Sequence, residues 1–69
     1  MYKQMFDKLA NKISNSVIKD DIFVIPFDPA NTDYQQFKQG INADEAQLQD
    51  VDGNVMSADA AKEFVAGLP

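Results

Sequence analysis

Apolar residues open the chain at helical intervals. Tyr2, Met5, Phe6, Leu9 and Ile13 recur three and four residues apart and gather within an arc of roughly 100° on a helical wheel. Lys3, Asp7, Lys8, Asn11, Lys12 and Asn15 take the other side. This spacing predicts an amphipathic helix over about 1–14, with Asn15-Ser16 breaking it. Such a stripe either covers the domain's own core or docks into a groove on another subunit. Its polar side lacks the dense cationic charge and Trp that suit a membrane surface.

The pattern then shortens. Ser16–Lys19 and Ile22–Phe27 are β-branched and aromatic runs separated by Asp20-Asp21, which predicts a β-hairpin. Phe23, Ile25 and Phe27 share one face of the second strand, and Ile22 and Val24 share the other. Apolar residues on both faces predict cover on both sides. Pro26 cannot donate to a ladder, which places this strand at an edge or ends it there. Asp28-Pro29-Ala30-Asn31 has turn chemistry. Thr32 with Gln35 has the spacing of a capping box for a short helix carrying Tyr34, Phe37 and Ile41, with Gly40 as its stop.

Residues 42–48 fit either a further helical turn or a strand. Gln47–Val51 alternates, and Asp52-Gly53-Asn54 followed by Val55-Met56 favours a second hairpin. Ser57 then caps a last helix with Ala61, Phe64, Val65 and Leu68 on its apolar side, closed by Gly67 and Pro69. The expected fold is α+β: amphipathic helix, hairpin, short helix, second hairpin and C-terminal helix, in one small domain spanning 1–69.

Composition narrows what such a domain does. The chain has 69 residues, no Cys and no His. Disulfides, thiolate sites, the commonest zinc ligand and the commonest general base are thereby removed. A core this small yields little net stability, so support from a partner is expected. Charge is uneven: residues 1–27 carry four Lys and three Asp, net +1, whereas residues 28–69 carry two Lys and eight acids, net −6. With no Arg and no basic cluster, nucleic acid is not an expected partner. Ile22–Phe27, the longest apolar run, is too short to span a bilayer, and no signal-peptide pattern opens the chain. A soluble protein made in a cytoplasm is expected, with no membrane partner.

Candidate chemistry is sparse. Asp50-Val51-Asp52-Gly53-Asn54 resembles a calcium loop only superficially, since glycine stands fourth rather than sixth and the twelfth position is Ala61. Ser14, Ser16 and Ser57 have no histidine to activate them. A carboxylate pair for glycoside chemistry needs a cleft that so short a chain scarcely encloses. The three glycines are isolated, so no phosphate loop is present. No catalytic residue, cofactor, metal or small-molecule substrate is expected.

Asn15 to Gln39, NSVIKDDIFVIPFDPANTDYQQFKQ, resembles a segment of short structural proteins of tailed bacteriophages. IPFDPANTDYQQF is its specific part. The later DEAQLQDVDGNVMSADAAKEFVAGLP is similar to C-terminal sequence of small marine-phage virion proteins. Lys38-Gln39-Gly40-Ile41 departs from the pattern, in which many relatives continue into a Trp-containing end. The resemblance implies a virion or assembly role, with the protein made in the host cytoplasm and residing in the particle. The expected partner is a larger capsid or tail protein, with self-association as a further possibility. Met5, Phe6, Leu9, Ile25 and Phe27 are the expected contacts. A non-virion assembly chaperone and an acidic regulator of a host protein are the rival readings.

Overall fold

A computed structural model describes all residues from Met1 to Pro69. The elements run β1 (Tyr2–Asp7), β2 (Lys12–Lys19), β3 (Phe23–Pro26), α1 (Thr32–Asn42), β4 (Leu48–Gln49) and α2 (Ala58–Ala66). They form a four-stranded mixed sheet of order β3-β2-β1-β4. β1 and β3 flank β2 antiparallel, and β4 runs parallel to β1.

This architecture overturns the expected layout. The segment expected as an N-terminal helix is a β-hairpin, β1–β2. No capping residue precedes Tyr2, and Asn11, Ser14, Asn15 and Ser16 are weak helix formers. Asp7 instead closes a turn, its Oδ1 accepting from Leu9 N at 3.0 Å and Ala10 N at 3.2 Å. Asn11 completes the reversal at φ 54°, a left-handed conformation that Asn tolerates. Alternation then takes over: Tyr2 and Gln4 point inward and are buried, while Lys3 and Met5 point outward. Asn15 and Ser16, expected to break a helix, lie inside β2.

The second hairpin is reduced to a single bridge. β4 takes its ladder from β1, with Tyr2 opposite Leu48, and meets the following segment through an antiparallel Gln49–Val55 bridge, in which Met56 N donates to Leu48 O and Asp50 N to Asn54 O, both at 2.8 Å. Between them Asp50 Oδ1 accepts from Asp52 N (2.9 Å) and Asn54 N (3.0 Å), and Gly53 adopts φ 89°.

Both helices cover one face of the sheet. Tyr2, Val17, Ile25 and Leu48 meet Tyr34, Phe37 and Ile41 of α1 and Ala61 and Val65 of α2 in one core. Phe37 packs edge-on to Tyr2 at 4.8 Å, and Phe27 lies between Tyr34, Phe37 and Phe64. The cap of α1 is Asn31 rather than Thr32: Asn31 Oδ1 accepts from Tyr34 N at 3.1 Å, and Gln35 Nε2 donates to Pro29 O. Gly40 does not stop α1. It lies inside the last turn, where a Cβ would meet Ala46 Cβ at 3.1 Å as the chain folds back.

Candidate interaction surface

The other face of the sheet carries no helix. Register places Lys3 opposite Ile18, and Ile18 opposite Val24, so these three side chains share that face. Met5 follows Lys3 along β1, opposite a stretch of β2 where the register slips from Gln4–Val17 to Phe6–Ile13, and the Ser14 and Ser16 hydroxyls in that stretch lie 3.0 Å apart. A shallow groove here is lined by Lys3, Met5, Phe6, Ile18, Asp21 and Val51. Val24 is 57% exposed and Phe6 47%, and Ile22 and Phe23 beside them are also exposed. This face therefore carries exposed Val24 and half-buried Ile18 and Met5 beside Lys3, with exposed Phe6 at the end of β1 past the register slip.

The outer edge of β3 is less available than its face. Phe27 N donates to Asn15 O at 2.9 Å, which sets the antiparallel alternation. Val24 and Pro26 are then the residues whose backbone groups turn outward. Pro26 has no N–H, and its carbonyl accepts from Asp28 N at 2.9 Å. Little remains for an added strand to pair with, so the edge is blunted and the side chains are the accessible feature.

The five expected contact residues separate into two groups. Met5, Phe6 and Leu9 all lie on the β1–β2 hairpin, Met5 half-buried, Phe6 exposed and Leu9 fully exposed at its tip. Ile25 is only 3% exposed, and Phe27 is stacked into the aromatic core. Ile25 presents no surface, and Phe27 is partly buried with its ring packed against the core. Ile18 and Val24 take their place on the open face. The two-sided apolar run Ile22–Phe27 was the signal for them, because helices cover only one of its sides.

No family model, curated protein or solved structure matches this chain.

Electrostatics around the surface are mild. The Met1 ammonium contacts Asp20 Oδ1 at 2.7 Å. That hydrogen bond, then the ammonium charge, holds the Asp20 carboxyl below its ordinary 3.8, with Lys19 adding a little and desolvation opposing. On the covered side, burial pushes the Tyr34 hydroxyl above its ordinary 10.0, and this hydroxyl donates to Pro69 O at 2.7 Å. Asp50 spends its carboxylate on backbone amides, and Ser14 and Ser16 bond to each other. No helix is long and apolar enough to cross a membrane. The arrangement is suited to adhesion by burial, at roughly 25 cal/mol per Å² of apolar surface removed from water.

Proposed function

We propose that this protein is a binding module of a tailed-phage particle or its assembly, and that its open sheet face adheres to a larger capsid or tail protein. The observation that carries this reading is the sheet face without helix cover, where exposed Val24 and half-buried Met5 and Ile18 lie with exposed Phe6 at the strand end, on a 69-residue domain without cysteine. The phage assignment itself rests on the resemblance over Asn15–Gln39. Within the structure that stretch forms most of β2, then β3, the Asp28–Asn31 turn and much of α1. Binding, not turnover, is the role that such a surface serves.

Phe6→Asp tests the reading. Phe6 is exposed, so the substitution leaves the core untouched and places a charge at the end of this face. Folding is expected to survive while incorporation into particles, measured by mass spectrometry of purified virions, is lost. Normal incorporation of a folded Phe6→Asp protein removes the open face from the interface. Absence of the wild-type chain from virions reassigns it to a transient assembly factor.

A further inference from the structure

The β1–β2 arm runs beyond the rest of the sheet. β4 pairs with Tyr2 and Lys3 alone, and the last bond from the β3 side is Phe27 N donating to Asn15 O. From Phe6 to Ile13 the two strands therefore pair only with each other. No residue from Lys3 to Ser16 belongs to the core. A two-stranded ribbon on its own is marginal in water. This one is fixed at its tip, where Asp7 Oδ1 accepts from Leu9 N and Ala10 N and Asn11 takes φ 54°. The ribbon holds Leu9 wholly in solvent and Phe6 half in it, with Ile13 opposite Phe6. A loop already built in one conformation loses less freedom when it binds.

Charge on the arm is opposite to that of the body. Residues 1–19 carry four Lys and one Asp, net +3, whereas residues 20–69 carry two Lys and ten acids, net −8. Lys8 and Lys12 stand exposed on either side of Leu9 and Ala10. Lys12 is opposite Asp7 in register, but the ion pairs of this molecule are Met1–Asp20 and Lys62–Asp44, so neither lysine is neutralised. We infer that the distal arm, Phe6–Ile13, docks on an acidic face of a different protein, where Leu9 and Phe6 enter an aliphatic recess and Lys8 and Lys12 meet carboxylates at its rim. The unpaired cations set the sign of that partner. The apolar pair sets its class, because a phosphate backbone has no recess to bury them. Two lysines at the tip, with no Arg or Trp in the chain, are also too few for a nucleic acid or a bilayer surface. This contact adds the hairpin tip to the open face and does not depend on the phage assignment.

The test uses a short amphipathic helical peptide whose Leu stripe is bordered by Glu, titrated into isotope-labelled protein and followed by NMR. Saturable amide shifts confined to Phe6–Ile13 are expected. The Lys8→Gln/Lys12→Gln double variant is expected to bind at least about fivefold more weakly, and so is the wild-type protein with a peptide carrying Lys in place of Glu. Leu9→Ser is expected to weaken binding at least about tenfold. All three substitutions lie at exposed positions, so the spectrum outside the arm should stay that of the wild type. Absence of saturable shifts on the arm overturns the inference, as do equal affinities for the two peptides or unchanged affinity in either folded variant. A DNA duplex or phosphatidylglycerol vesicles that move the arm amides at lower concentration than the Glu peptide overturn it in favour of phosphate. Arm shifts that appear on concentrating the protein alone give the arm to a second copy and overturn it too. Peptide binding needs no virion, so this inference and the open-face reading, which incorporation of Phe6→Asp protein tests, fail separately.

Discussion

In α1, Tyr34, Phe37 and Ile41 lie at helical spacing and all three reach the core, whereas in the β1–β2 arm Phe6 and Leu9 stand in solvent. The arm is the richer of the two in apolar residues, so burial is decided by what each backbone can do rather than by apolar content. α1 begins at a residue whose side chain satisfies a free amide, and it then lies flat on the sheet. The arm begins without a cap, turns back on an Asp7 carboxylate, and pairs with itself and with β4. One region uses apolar side chains to hold the domain together. The other buries Tyr2 and Val17 but displays Phe6 and Leu9.

The sharpest way to break this contrast is to truncate one residue in each region. Phe37 is fully buried against Tyr2 and Phe27. Phe37→Ala is expected to cost about 3–5 kcal/mol through lost transfer energy and a residual cavity. A domain of this size holds only about 0.05–0.15 kcal/mol of stability per residue, so that loss removes most or all of the folded population. Leu9→Ala in dilute solution is expected to change stability by no more than about 0.5 kcal/mol, as an exposed position should. Urea denaturation of the pair decides it. Similar midpoints for both variants would show that the arm is packed after all.

Capping is the next test, smaller in effect and aimed at why α1 is a helix. Asn31→Ala is expected to cost about 1 kcal/mol, because Tyr34 N loses its acceptor. Ser57→Ala, which frees Ala60 N, is expected to cost a similar amount, about 1 kcal/mol. Thr32→Ala should stay within about 0.5 kcal/mol, since Thr32 is the first helical residue and caps nothing. A larger loss at Thr32 than at Asn31 would move the cap back to where the Thr32/Gln35 spacing suggested.

These caps also mark where the sequence was readable. Ser57 was read as a cap and caps α2, whereas the cap of α1 lies at Asn31, one residue before the Thr32 that the spacing indicated, and helices follow both. Tyr2–Ile13 shows the period without a cap, and period alone misled, because the five stripe residues in those twelve satisfy a helical wheel and an interrupted alternation equally well. Asp7 and Asn11 were the discriminating residues, one an acceptor for the turn amides and the other at ease with positive φ. The Asp20-Asp21 reversal was legible from its flanking runs; both residues adopt positive φ and Ile22 N closes onto Lys19 O at 3.0 Å. The parallel β1–β4 pairing was not legible, since nothing in two residues at Leu48-Gln49 specifies a partner 46 positions away. Met5 and Phe6, read as part of a helix stripe, lie on a hairpin strand. Ile25 and Phe27 pack towards the helices, which a strand apolar on both sides does not announce.

The smallest expected effect concerns what fastens the displaying region at its base. Met1 and Asp20 join the start of β1 to the end of β2 by an exposed ion pair. Asp20 has a folded-state pKa below its unfolded value, so its contribution is present above about pH 4 and is lost as pH falls through the lowered folded value. Asp20→Asn isolates this. Its backbone sits at φ 53°, which Asn accepts as readily as Asp, so the turn survives while the charge disappears. Carboxyl NMR titration of wild-type protein should find Asp20 titrating below 3.8, and acetylation of the Met1 amine should return it towards that value. The Asn variant should lose the corresponding part of the acid dependence while the arm's amide shifts stay in place. An Asp20 that titrates at its ordinary value with the amine free would mean that the strand ends are held by the β1–β2 ladder alone, and that the arm owes nothing to charge.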